Sequence, residues 1–97
     1  MAVKILIKRE VHSADKSVKL KDLAMQFRSL VIKQPGYVSG ESLKKADSPV
    51  NYLVITTWES LDDWKAWKAS KEREAIQSQI DSLLGQKTEY EVYQYRG

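Results

Sequence analysis

Cysteine is absent from the 97 residues, so the chain has no disulfide framework, no thiolate nucleophile and no thiolate metal site. That composition suits a reducing compartment. Histidine occurs once, at His12, and no His-x-x-x-His pairing exists, so a protein-held zinc or iron centre lacks its ligands and no metal is expected. His12 itself, just past the first predicted strand, reads as a solvated loop residue rather than a general acid or base. Long apolar runs are missing too: nothing approaches the roughly 18 residues of a membrane span. Lysines break up the apolar positions from Met1 to Lys8, which a secretory leader would not tolerate, so the expected location is the cytoplasm. Charge of one sign is nowhere concentrated. The 16 basic and 13 acidic residues are interleaved, as in Lys44-Lys45-Ala46-Asp47 and Lys71-Glu72-Arg73-Glu74. A nucleic-acid surface would show a basic stripe, so neither nucleic acid nor a membrane is an expected partner.

Repeats, low-complexity runs and Pro/Gly/Ser linkers are also lacking, and a chain of this length buries roughly 60–65% of its unfolded surface on folding, enough for one core. Residues 1–97 are expected to form one domain. What is present is a succession of short elements. Ala2 to Val11 alternates, with Val3, Ile5 and Ile7 on one face of a strand and Lys4, Leu6 and Lys8 on the other. Leu20, Leu23, Ala24, Phe27, Leu30 and Val31 then recur at helical spacing, with Asp15 or Ser17 as the candidate cap and Pro35-Gly36 as the stop. A polar strand over Tyr37–Lys44, a turn at Ala46-Asp47-Ser48-Pro49 and a strongly β-forming run from Val50 to Trp58 read as a hairpin. Ser60 and Asp63 make a capping-box-like start to a second helix bearing Leu61, Trp64 and Trp67. After a break at Ser70, Ile76, Ile80, Leu83 and Leu84 continue a helical face that Gly85 ends. Lys87 to Tyr95 alternates again as a last strand.

This order, β-α-β-β-α-β, predicts an α+β ferredoxin-like sandwich with helices on one face of an antiparallel sheet. Apolar and aromatic residues on both faces of the first and last strands would leave the other face an exposed patch, which a homodimer formed sheet to sheet would cover.

The stretch from Val54 to Ser70, Val-Ile-Thr-Thr-Trp-Glu-Ser-Leu-Asp-Asp-Trp-Lys-Ala-Trp-Lys-Ala-Ser, resembles the most characteristic segment of the antibiotic-biosynthesis-monooxygenase superfamily. There a strand ends in an aromatic-acidic-Ser step and runs into a helix with a second aromatic. Gln34-Pro35-Gly36-Tyr37 resembles that family's turn into its second strand. The resemblance implies a dimeric α/β-barrel, each protomer holding a pocket between helices and sheet. It also implies activities that include cofactor-independent oxygenation of phenols or quinols and degradation of haem.

On this resemblance Trp67 matches a pocket tryptophan of the haem-degrading branch and becomes the candidate catalytic residue, as a π-surface for a flat ligand. A core or interface role would also account for it, since aromatics at helical spacing more often serve the core than a ligand. That branch's axial histidine corresponds to Gln77 and its first-strand asparagine to Lys8 or a neighbour. An amide does not replace imidazole on haem iron, which points away from haem; no cofactor is expected. Phe27, Trp64, Gln77 and Tyr52 complete the candidate ligand-binding set. Tyr52, Tyr90, Tyr93 and Tyr95 are strand tyrosines, any of which has a phenol to offer a substrate oxygen or a ring to pack. Two functions follow: a cofactor-independent monooxygenase of a small aromatic substrate, or a non-catalytic dimeric binding or structural module with the same pocket.

Overall fold

The computed structural model describes residues 2–96. Its elements are β1 (Val3–Glu10), α1 (Ala14–Val31), β2 (Tyr37–Lys44), β3 (Asn51–Trp58), α2 (Leu61–Lys68), α3 (Lys71–Leu84) and β4 (Tyr90–Gln94). The strands form one antiparallel sheet in the order β2-β3-β1-β4, so β1 and β3 are central. Opposed residues of antiparallel strands point to the same face. The pairs Val3–Trp58, Ile5–Thr56 and Ile7–Val54 therefore share the helix-covered side, while Leu6–Ile55 and Lys8–Leu53 share the other. The expected alternation along β1 holds: Val3, Ile5 and Ile7 are buried in the core with Val31, Trp58, Trp64 and Trp67.

The helix boundaries follow their caps. Ser60 starts α2, its hydroxyl accepting from Asp63 N at 3.1 Å, and Ser70 divides α2 from α3 by capping the latter. Gly85 ends α3 in the left-handed region at φ 68°, where a glycine carries no Cβ penalty. Gly36 (φ 82°) closes the turn after α1, and a Cβ there would overlap the side chain of Asp63. Two expectations are corrected. Helix α1 is capped by Ser13, which accepts from Lys16 N at 3.1 Å; Asp15 and Ser17 already lie inside the helix, Ser17 N donating to Ser13 O. The last strand starts at Tyr90 rather than Lys87, because Thr88 turns its backbone N–H (3.2 Å) and hydroxyl (2.6 Å) toward Asp81 on α3.

One feature of the packing positions the site. Of the residues of α1 only Val31 is fully buried, and the helix lies along α3. Phe27 and Leu30 reach the core, but Ala24 and Met25 stay exposed, which leaves a wedge of space between α1 and the sheet. No helix of the described residues is long and apolar enough to cross a membrane.

Candidate functional site

The wedge is a cavity of about 450 Å³, bounded by α1, the helix-facing side of the sheet, α2 and α3. Phe27, Trp64, Trp67 and Gln77 all line it, so the fold brings together four of the five residues selected from sequence. Each arrives by a simple route. Helix α2 leaves Ser60 with its Trp64–Trp67 face toward the sheet, at the three-residue spacing that keeps two side chains on one side of a helix. Trp67 meets Phe27 edge-on (5.7 Å between centroids) and stacks on Trp58 (6.4 Å, 27° between planes). Trp64 packs against Trp58 and Tyr90, and Tyr37 meets Trp58 edge-on at 5.4 Å. Trp67 is thus both core residue and cavity wall. Trp58 binds its indole N–H to Thr56 Oγ1 at 3.1 Å, whereas the indole N–H of Trp67 has no acceptor among the described residues.

Tyr52 lies elsewhere. It pairs with Arg9 near the end of β1 and lines a second hollow, of about 1140 Å³, among Lys8, Glu10, Lys44 and Lys45. The β3 residues that face the aromatic cavity are Val54 and Thr56. We place the candidate site in the smaller space, because apolar and aromatic walls with a few convergent polar groups are what a small aromatic ligand requires. The larger hollow is ringed mostly by charged side chains. His12 lines neither space; it is exposed beside Glu10 at the rim of the larger hollow, with Nε2 and Oε2 3.2 Å apart.

The polar edge of the cavity is a continuous network. Arg73 donates to the hydroxyl of Tyr90, and Tyr90 donates to Gln77 Oε1 at 3.1 Å. Gln77 Nε2 in turn donates to Asp81 Oδ1 (2.9 Å) and Thr88 Oγ1 (2.7 Å). Gln77 lines the cavity, yet both ends of its amide are engaged by protein; its role in the fold is to orient the Tyr90 phenol. Arg73 also donates to Lys68 O at 3.0 Å. Its guanidinium carbon lies 5.2 Å from the centre of the Tyr90 ring, but the contact at the hydroxyl brings it in from the oxygen end, so the hydrogen bond outweighs any cation–π attraction.

Arg9 and Arg73 also line the cavity although neither stands out as a site residue in the sequence, and the sequence pattern gives a partial signal for each. Arg9 continues the Val3-Ile5-Ile7 alternation by one step, and Arg73 belongs to the buried α3 stripe Arg73-Ile76-Gln77-Ile80. Burial holds both guanidinium pKa values below the ordinary range; Asp81 pulls back against that shift in each, joined at Arg73 by Glu74. Burial also raises the Tyr37 phenol, against a smaller opposing effect of Arg28.

Residues 3–79 match the family model described as antibiotic biosynthesis monooxygenase. Among curated proteins none matches the chain. Solved structures with the same fold include SnoaB from Streptomyces nogalater, described as a cofactor-independent oxygenase. It is similar at TM-score 0.85 and 19% identity over 99% of this chain and 94% of that one. A conserved protein of Methanosarcina mazei Go1 aligns at TM-score 0.88 and 16% identity over 99% and 94%. A Streptomyces coelicolor monooxygenase from the gene ActVA-Orf6, solved with nanaomycin D, aligns at TM-score 0.79 and 19% identity over 99% and 88%.

Proposed function

This chain belongs to the antibiotic biosynthesis monooxygenase family, and from that premise we propose that it is a cofactor-independent monooxygenase of a small phenol- or quinol-type aromatic, bound between α1 and the sheet. The observation that carries the reading is the 450 Å³ cavity walled by Phe27, Trp64 and Trp67. For an electron-rich substrate that reduces O2 itself, the protein has little chemistry to supply. It must hold the ring, exclude water, and place a hydrogen-bond donor where negative charge develops on the substrate oxygen. Trp67 provides a ring face and a free indole N–H for those tasks. In an anthrone-type reaction the CH2 carbon becomes a carbonyl. One atom of O2 enters the product, and the other leaves as water with the two substrate hydrogens, so no external electron donor is needed.

Two features of the fold support a homodimer built through the uncovered sheet face. Leu43, Leu53, Ile55, Leu6 and Tyr93 form a stripe across that face, and Leu43 and Tyr93 are 46% and 52% exposed in the protomer. A partner's sheet would cover them.

Oxygen uptake with anthrone and hydroquinone substrates tests the activity. Trp67→Phe keeps a ring in the core and removes the N–H, and is expected to slow uptake by about 100- to 1,000-fold, the scale seen when one oxyanion donor is lost. Trp67→Ala should lose more, partly through unfolding. If wild type consumes no oxygen above the uncatalysed rate while the same compounds still bind, the protein is a binding module.

A further inference from the structure

Resting on the cavity reading above, we infer that the ligand carries a carboxylate, or a like permanently anionic substituent, which docks between Arg9 and Arg73. The first observation is an unmet donor: the Nε–H of Arg9 is buried and has no hydrogen-bond partner among the described residues. A buried charged donor left unpaired is costly, and native proteins rarely leave one without a use. The second is a charge imbalance. Arg9, Lys21, Arg28 and Arg73 line the cavity against a single carboxylate, that of Glu41. Among the described residues no carboxylate approaches either Arg9 or Arg73 to within 4.0 Å. The acid that both guanidinium groups feel is Asp81, and its Oδ1 already accepts from Gln77 and Thr88.

Arg73, which is buried, and Arg9, which is half-buried with its Nε enclosed, have no carboxylate at ion-pair distance among the described residues, and together they leave a net positive charge beside an aromatic slot. Arg73 is held in place by Lys68 O and the Tyr90 hydroxyl, so its position is fixed before any ligand arrives. Burial depresses both guanidinium groups, Arg73 more so through Arg9, and the opposing pull of Glu74 and Asp81 comes without an ion pair at either arginine, so an entering anion has no carboxylate to displace. A planar guanidinium matches a carboxylate through paired N–H donors, which a neutral amide cannot exploit in the same way. The substrate would then lie with its rings on Phe27, Trp64 and Trp67 and its acid toward the Arg9–Arg73 edge.

The test compares 6-hydroxy-2-naphthoate with 6-hydroxy-2-naphthamide by isothermal titration calorimetry at pH 7.5. The two share rings and phenol and differ only in the anion. Wild type should bind the acid at least tenfold more tightly than the amide. Arg9→Gln should remove most of that preference while changing amide affinity less than twofold, and Arg9→Lys should restore part of it. Equal affinities in wild type, or a preference that survives both Arg9→Gln and Arg73→Gln, overturn the anion site while leaving the aromatic cavity intact. Absence of binding by either compound up to millimolar concentration overturns the cavity reading as well. The wild-type comparison decides the matter even if a variant fails to fold.

Discussion

Tyr90 joins the two halves of the polar edge, receiving from Arg73 and donating to Gln77. Tyr90→Phe retains the ring against Trp64 but strands a buried guanidinium N–H and an amide oxygen. A loss of stability of about 1–3 kcal/mol is expected, the usual penalty for orphaning buried polar groups, with charge on the donor favouring the upper end. Urea unfolding checks this, and an unchanged midpoint would mean that the network contributes nothing net. At this scale the sequence was legible wherever a residue's role follows from its own chemistry. Trp64, Trp67 and Phe27 are large apolar groups at helical spacing, and they meet around one space. Arg9 and Arg73 were not legible, because arginine is ordinarily solvated and its burial depends on which elements converge on it. Tyr52 lies outside this cavity for a related reason. Its type suits a pocket and it shares the inner face with Val54 and Thr56, but it sits nearer the start of β3, opposite Arg9, and how far along a strand the helices cover is not visible in the strand alone.

Among the elements, α2 matters most to the site, since it carries both cavity tryptophans on one short helix of eight residues. A helix that short has little intrinsic stability, so its N-terminus depends on Ser60, whose hydroxyl accepts from Asp63 N and donates to Asp63 Oδ2 at 2.8 Å. Ser60→Ala is expected to cost about 1 kcal/mol. Because the loss is local, the Trp64 and Trp67 environment should loosen before the sheet does, seen as faster amide exchange in α2 than in β1. Uniform acceleration across the chain would instead assign Ser60 to global stability alone. This start signal was readable because a hydroxyl and a carboxylate three residues apart precede an apolar face. The start of α1 was misplaced for the converse reason. Ser13, Asp15 and Ser17 all resemble caps, and only the backbone path out of β1 selects Ser13, which has the extended conformation a cap requires. The loop before β4 was hidden in the same way, since the pull of Asp81 on Thr88 is a tertiary effect within an otherwise alternating run.

For the whole molecule, the sheet separates two surfaces with different work. Its inner side forms the cavity floor through Ile7, Val54, Thr56 and Tyr90. Its outer side mixes an apolar stripe with polar links, the Lys4 Nζ to Thr57 Oγ1 hydrogen bond at 2.9 Å and the Lys8–Glu91 ion pair at 3.4 Å. Element order and the surplus of apolar residues on both strand faces made this division readable from sequence, because alternation assigns faces without any knowledge of register. The proposed dimer requires that the stripe be a contact surface, and Ile55 is its central residue, opposed by Leu6 on β1 and Glu41 on β2. Ile55→Lys puts a charge where two sheets would meet, at no cost to the inner core, since Ile55 points away from it. Light scattering should give wild type about twice the 11.2 kDa chain mass at micromolar concentration, and the variant a mass near the single chain with an unchanged far-ultraviolet circular dichroism spectrum. Wild type at 11.2 kDa throughout that range would rule the dimer out, and a variant that stays dimeric would move the interface to another surface.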